Sequence, residues 1–104
     1  MFATIRRYES TDKSRTRELA KKADQGLVPK LSELPGFGGY SLIDTGDGVI
    51  SSIGFFDTSE QADVATRVAS TWVSDEKLGD ILPNSPKITT GEVVVHKASE
   101  LVKA

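Results

Sequence analysis

Two strand-like segments with apolar side chains on both faces constrain this chain more than any other feature. Val49 to Phe56 puts Val49, Ile53 and Phe55 on one face and Ile50 and Phe56 on the other. Phe37 to Asp44 sets Phe37 and Ile43 against Tyr40 and Leu42, and Thr45-Gly46-Asp47-Gly48 joins the two segments. Glycines there supply the positive φ of a hairpin connection. A sheet with one wet face alternates apolar and polar residues. These strands therefore need cover on both sides.

The remaining elements follow from local chemistry. Phe2 to Tyr8 reads as a first strand, and Ser10-Thr11-Asp12 offers oxygen acceptors for a helix start. Leu19, Ala20, Ala23, Leu27, Leu31 and Leu34 recur at helical spacing. Pro29 lacks the amide that would bond to Gln25, which predicts a kink or break near Gly26–Pro29 before Pro35-Gly36 ends the element. Asp57-Thr58-Ser59 opens a second helix, with Thr58 and Gln61 spaced as a capping box and Asp57 or Ser59 as alternative caps. Ala62, Ala65, Ala69, Trp72 and Val73 form its buried stripe, with an expected end near Leu82, before Pro83 and Pro86. Ile88 to Lys97 reads as the last strand, where Val94 opposes Val93 and Val95, and Glu100 to Ala104 as a fraying tail.

Strand–helix–strand–strand–helix–strand is the split βαβ order of a ferredoxin-like α+β domain, with a four-stranded antiparallel sheet and both helices on one face. The 104 residues make one domain, 1–104. Two helices cover one face of the sheet, and a second copy of the same sheet is the simplest cover for the other, so a homodimer is expected.

Composition removes several functional classes. There is no cysteine, hence no disulfide, thiolate metal site or cysteine nucleophile. A net charge of −2 with acids and bases interleaved gives no basic stripe for nucleic acid. Apolar runs of the Val93–Val95 kind are far too short for a membrane span, and Met1 to Arg7 carries charges where a signal peptide is apolar. Cytoplasmic residence is the expectation. Gly36-Phe37-Gly38-Gly39 follows a helix and enters a strand, the reverse of a phosphate loop. Asp44 to Gly48 lacks the spacing and closing glutamate of a calcium loop. No metal site is expected.

Leu34-Pro35-Gly36-Phe37 leading into Tyr40, and Ser59-Glu60-Gln61-Ala62 opening the second helix, resemble the antibiotic-biosynthesis-monooxygenase-like family over Phe2 to about Lys97. The resemblance implies a dimeric α/β barrel with a pocket between helices and sheet in each subunit. It also implies a small-molecule monooxygenase, or related isomerase, acting on a planar aromatic or quinone-like compound without a cofactor. The family's haem-degrading branch uses an asparagine on its first strand and a tryptophan and a histidine on its second helix. Thr66 and Glu76 fall at the last two places and the first strand has no asparagine, so haem is not expected. The alternative function is a non-catalytic dimeric binding or stress-response protein for a small hydrophobic ligand.

Four residues are candidates for the site. Arg6 is placed to stabilise an oxyanion and His96, the only histidine, to act as a base. Thr4 and Trp72 are placed in the pocket wall, the indole as a stacking surface. Three of them have a plainer reading. Arg6 and Arg7 point to opposite faces and either can pair with Glu9 or Glu92. Trp72 on a helical stripe is ordinarily core, and a lone histidine at a strand end is ordinarily idle.

Overall fold

A computed structural model describes residues 1–97. Its sheet runs in the order β2-β3-β1-β4, with β1 (Phe2–Tyr8) between β3 (Ile50–Phe56) and β4 (Lys87–Glu92), and β2 (Gly39–Asp44) at the far edge. All three pairings are antiparallel. This is the α+β ferredoxin-like architecture expected from the element order. The tail from Glu100 to Ala104 lies outside the described residues.

Pro29 shapes the first helical segment. The helix α1 (Thr16–Lys22) widens into a π-helical turn, Ala23–Leu27, before a new helix, α2 (Val28–Ser32), begins. The proline thereby sits in the first turn of α2, where a missing amide leaves no bond unmade. Leu19, Ala23, Leu27 and Leu31 are buried along the composite helix.

The helix α3 (Ser59–Asp75) begins on the expected capping box. Gln61 N donates to Thr58 Oγ1 at 3.2 Å, and Thr58 N donates to Gln61 Oε1 at 3.1 Å. Gly36 makes room for this, since a Cβ there would fall 1.8 Å from Gln61 Oε1. Thr58→Ala is expected to cost about 1 kcal/mol in urea unfolding at fixed protein concentration. A change below about 0.2 kcal/mol would move the cap to Asp57 or Ser59.

Three boundaries differ from the sequence reading by two residues or more. The helix α3 stops at Asp75 rather than near Leu82, because Lys77 adopts a left-handed conformation (φ 55°). The turn lets Leu78, Ile81 and Leu82 fold back onto the core, where all three are buried. Strand β2 starts at Gly39 rather than Phe37, because Phe37 N bonds back to Leu34 O in a turn. Strand β4 ends at Glu92 rather than Lys97. Val93 N still reaches Met1 O at 2.9 Å, past the last register pair of the two strands, Phe2 with Glu92.

The helices cover one face only. On β3, Ile50, Ser52, Gly54 and Phe56 are buried beneath them, and Ile53 and Phe55 on the other face are half-buried. Ile53 pairs in register with Ile5, and Phe55 with Ala3, so the uncovered face carries a contiguous apolar patch. The core under the helices holds Tyr8, Phe56, Ala62, Ala65, Ala69 and Trp72. No helix among the described residues is long and apolar enough to cross a membrane.

Candidate functional site

Strand register decides which side chains face the helices. One row across the sheet is Leu42, Ser52, Arg6, Ile88, and the next is Tyr40, Gly54, Thr4, Thr90. Alternation puts Arg6 beneath the helices and Arg7 on the opposite face, where it pairs with Glu9 at 3.3 Å. Arg6 is only 4% exposed. Its Nη2 donates to the Tyr8 hydroxyl, and its guanidinium carbon lies 5.5 Å from the centre of the Tyr8 ring. Its Nε has no hydrogen-bond partner among the described residues, and no carboxylate there forms an ion pair with it.

A buried cation without a counter-charge is costly, since desolvation removes the water that would stabilise it. Such a group is a place where a ligand's negative oxygen gains more than it would in water. Tyr8 and Tyr40 flank it. Burial pushes both phenols up from their ordinary value, and the Arg6 charge opposes the rise in each. At neutral pH both are protonated donors, not bases.

Hydroxyls extend the polar row. Thr90 Oγ1 donates to Thr4 Oγ1 at 3.1 Å, and Thr66 Oγ1 donates to the Ala62 carbonyl at 3.1 Å. Thr4 and Thr66 stand 3.2 Å apart. Each hydroxyl has one proton, so Thr66, whose proton is used, accepts from Thr4. The chain runs from the exposed Thr90 to the helix backbone.

Space around Arg6 is divided. Two voids of about 20 Å³ adjoin it, one reaching Tyr8, Tyr40, Ser52 and Trp72, the other Thr4, Gly54, Ala65 and Thr66. Gly54 opens the second, because a Cβ there would lie 3.3 Å from Phe56 Cε2. An open cleft of about 330 Å³ lies beyond Tyr40, Leu42 and Ile50, and one of about 220 Å³ beyond Arg6, Tyr8 and Leu82. Tyr40 walls the larger of these two clefts and both voids.

The structure brings Arg6, Thr4 and Trp72 to this helix–sheet layer and leaves His96 elsewhere. Trp72 is 4% exposed, lines the void next to Arg6, and fits because residue 26 is glycine. A Cβ at Gly26 would lie 2.9 Å from the indole Nε1. His96 is exposed beyond β4, with its ring 5.9 Å from that of Phe55 on the uncovered face. The sheet separates it from Arg6. Tyr8, Tyr40, Ser52 and Thr66 are the site members that sequence reasoning missed. Even-numbered spacing with Arg6 on the first strand was a usable signal for Tyr8. Nothing local marked Ser52 or Thr66. Among the described residues no group of three His, Asp or Glu side chains is placed to hold a metal ion.

A four-stranded antiparallel sheet covered by helices on one face is an architecture shared with solved proteins of low sequence identity. A monooxygenase from the ActVA-Orf6 gene of Streptomyces coelicolor, solved with nanaomycin D, superposes with a TM-score of 0.70 at 15% identity, covering 95% of this chain and 92% of that one. A putative antibiotic biosynthesis monooxygenase from Bordetella bronchiseptica gives 0.71 at 15% identity, covering 90% and 97%. A dimeric ferredoxin-like protein from an uncultured marine organism gives 0.64 at 16% identity, covering 94% and 98%. No protein-family model and no curated protein matches the sequence. The chain has the fold of the antibiotic-biosynthesis-monooxygenase-like proteins.

Proposed function

We propose that the protein is a homodimeric small-molecule monooxygenase that oxidises a planar phenolic or quinone-like compound without a cofactor. The observation that carries this reading is Arg6, a buried cation with an unpartnered Nε, set between two protonated phenols and a row of hydroxyls. Convergent polar groups in an otherwise apolar layer favour chemistry over plain sequestration. The Streptomyces neighbour, solved with nanaomycin D, supports the ligand class.

The chemistry balances without an outside reductant. An acidic C–H of the substrate loses its proton to water, which returns it to the departing oxygen later, and the electron pair spreads onto a ring oxygen held by Arg6 and a tyrosine hydroxyl. Donors already aimed at that oxygen stabilise the developing charge without reorganising. The electron-rich carbon reduces dioxygen, a C–O bond forms, and the O–O bond breaks. A methylene thus becomes a carbonyl and the second oxygen leaves as water. The substrate supplies all the electrons. With both tyrosines protonated, the reading puts the first ionisation on the substrate's own acidity and gives His96 no part within its own subunit.

Oxygen uptake with a hydroxyanthrone-type phenol tests the proposal. Wild-type protein is expected to consume one dioxygen per quinone formed, and Arg6→Met to lose about 100-fold or more in kcat/KM, the scale for one oxyanion donor. His96→Ala should match wild type. Uptake no faster than in buffer alone would remove catalysis and leave the binding reading.

The dimer rests on the uncovered apolar face of Ile5, Ile53 and Phe55, with Ile43 43% exposed at its edge. The marine neighbour is a dimer of the same fold. Light scattering at micromolar concentration should return twice the chain mass. A monomer at high concentration would remove the two-sheet assembly.

A further inference from the structure

We infer that the cleft between α3 and the Leu82–Pro86 segment binds a small organic carboxylate, with Arg6 as its anchor. This rests on the reading above, in which Arg6 receives a ligand oxygen, and it narrows the substrate to one that carries an acid group. The cleft holds about 220 Å³, with Arg6 and Tyr8 at its base, Val73 and Leu82 on its walls, and Ser70 and Asn84 at its rim. That volume is below the usual range for drug-sized ligands and suits the one acid-bearing ring of a larger planar compound.

Charge and geometry both select an anion. The guanidinium matches the two oxygens of a carboxylate, and Arg6 lines the cleft with no carboxylate paired to it among the described residues. Nearby Glu9 does not fill the role, since Arg7 holds it at 3.3 Å and Lys87 at 3.8 Å. The Tyr8 hydroxyl accepts from Arg6, which leaves its own proton to donate to a ligand oxygen. The apolar walls accommodate a ring, and the Ser70 hydroxyl and Asn84 amide add neutral donors at the rim. The opposite cleft carries Asp24 and Asp44 and disfavours an anion, so the acid is directed to the Arg6 side.

The test is titration of the intact protein with benzoate, its neutral isostere benzamide, and the neutral phenol 2-naphthol. Binding is followed by calorimetry and by the Arg6 Nε–H resonance. Benzoate should bind saturably and move that resonance, with benzamide about 10-fold weaker or more, the scale of a charge-assisted pair. Arg6→Met, which removes an uncompensated buried charge and should fold at least as well, should abolish the preference. Ser70→Asp, an exposed change at the rim, removes the same hydroxyl donor for both ligands and should weaken benzoate about 5-fold more than benzamide, as expected of a like charge a few ångströms away. Equal binding of acid and amide, no benzoate binding, or benzoate binding that survives Arg6→Met would each overturn the site. If 2-naphthol binds and benzoate does not, the carboxylate site falls and the phenol reading stands; the reverse keeps the site and removes that reading.

Discussion

Trp72→Ala is expected to lower the free energy of unfolding by about 3–5 kcal/mol, the range for truncating a large buried aromatic. The indole is 4% exposed, sits among Leu27, Leu82 and Ala69 in the core, and occupies space that Gly26 leaves open. Neighbouring alanines cannot expand into the hole, so the cavity persists. Trp72→Phe keeps an aromatic body and should cost clearly less. The same residue walls the void beside Arg6, so packing and pocket are one surface here. Saturable change in the emission of this single tryptophan on adding planar phenols would report ligand at that wall. Emission that stays constant with quinones, flavins and phenols, together with severe destabilisation of Trp72→Ala, would leave it as packing alone. A loss under about 1 kcal/mol would instead show that the indole is not a core anchor.

Ile53→Glu should convert a dimeric protein into a folded monomer. Ile53 lies on the face the helices do not cover, paired in register with Ile5 on the neighbouring strand. In a symmetric interface the change enters twice, and each buried carboxylate lacking a partner costs several kcal/mol. Within one subunit the side chain is only half-buried, so secondary structure should persist. Light scattering and circular dichroism measured together decide the matter. An unchanged mass for Ile53→Glu would place the interface elsewhere, and loss of the helical signal would mean that folding and assembly are inseparable.

The sequence by itself determined the order and type of the elements, because those depend on neighbours within a few positions. Pro29 disrupted the first helix where its missing amide required, and Thr58 with Gln61 capped α3 as their spacing required. Apolar residues on both strand faces were legible for the same reason, since side chains alternate with period two. Tertiary structure decided where elements stop and what the site contains. The end of α3 at Asp75 depends on Leu78, Ile81 and Leu82 finding a core to fold onto, and the end of β4 at Glu92 on its register with β1. The site depends on register. Arg6 meets Ser52 because β1 and β3 pair at those positions, and Thr4 meets Thr66 across 62 residues of chain. His96 shows the limit most plainly. Its chemistry suited a base, yet β4 ends before it and its ring settles on Phe55, with the whole sheet between it and Arg6. Local propensity acts through adjacent residues, whereas a site is assembled by pairings that only the folded sheet establishes.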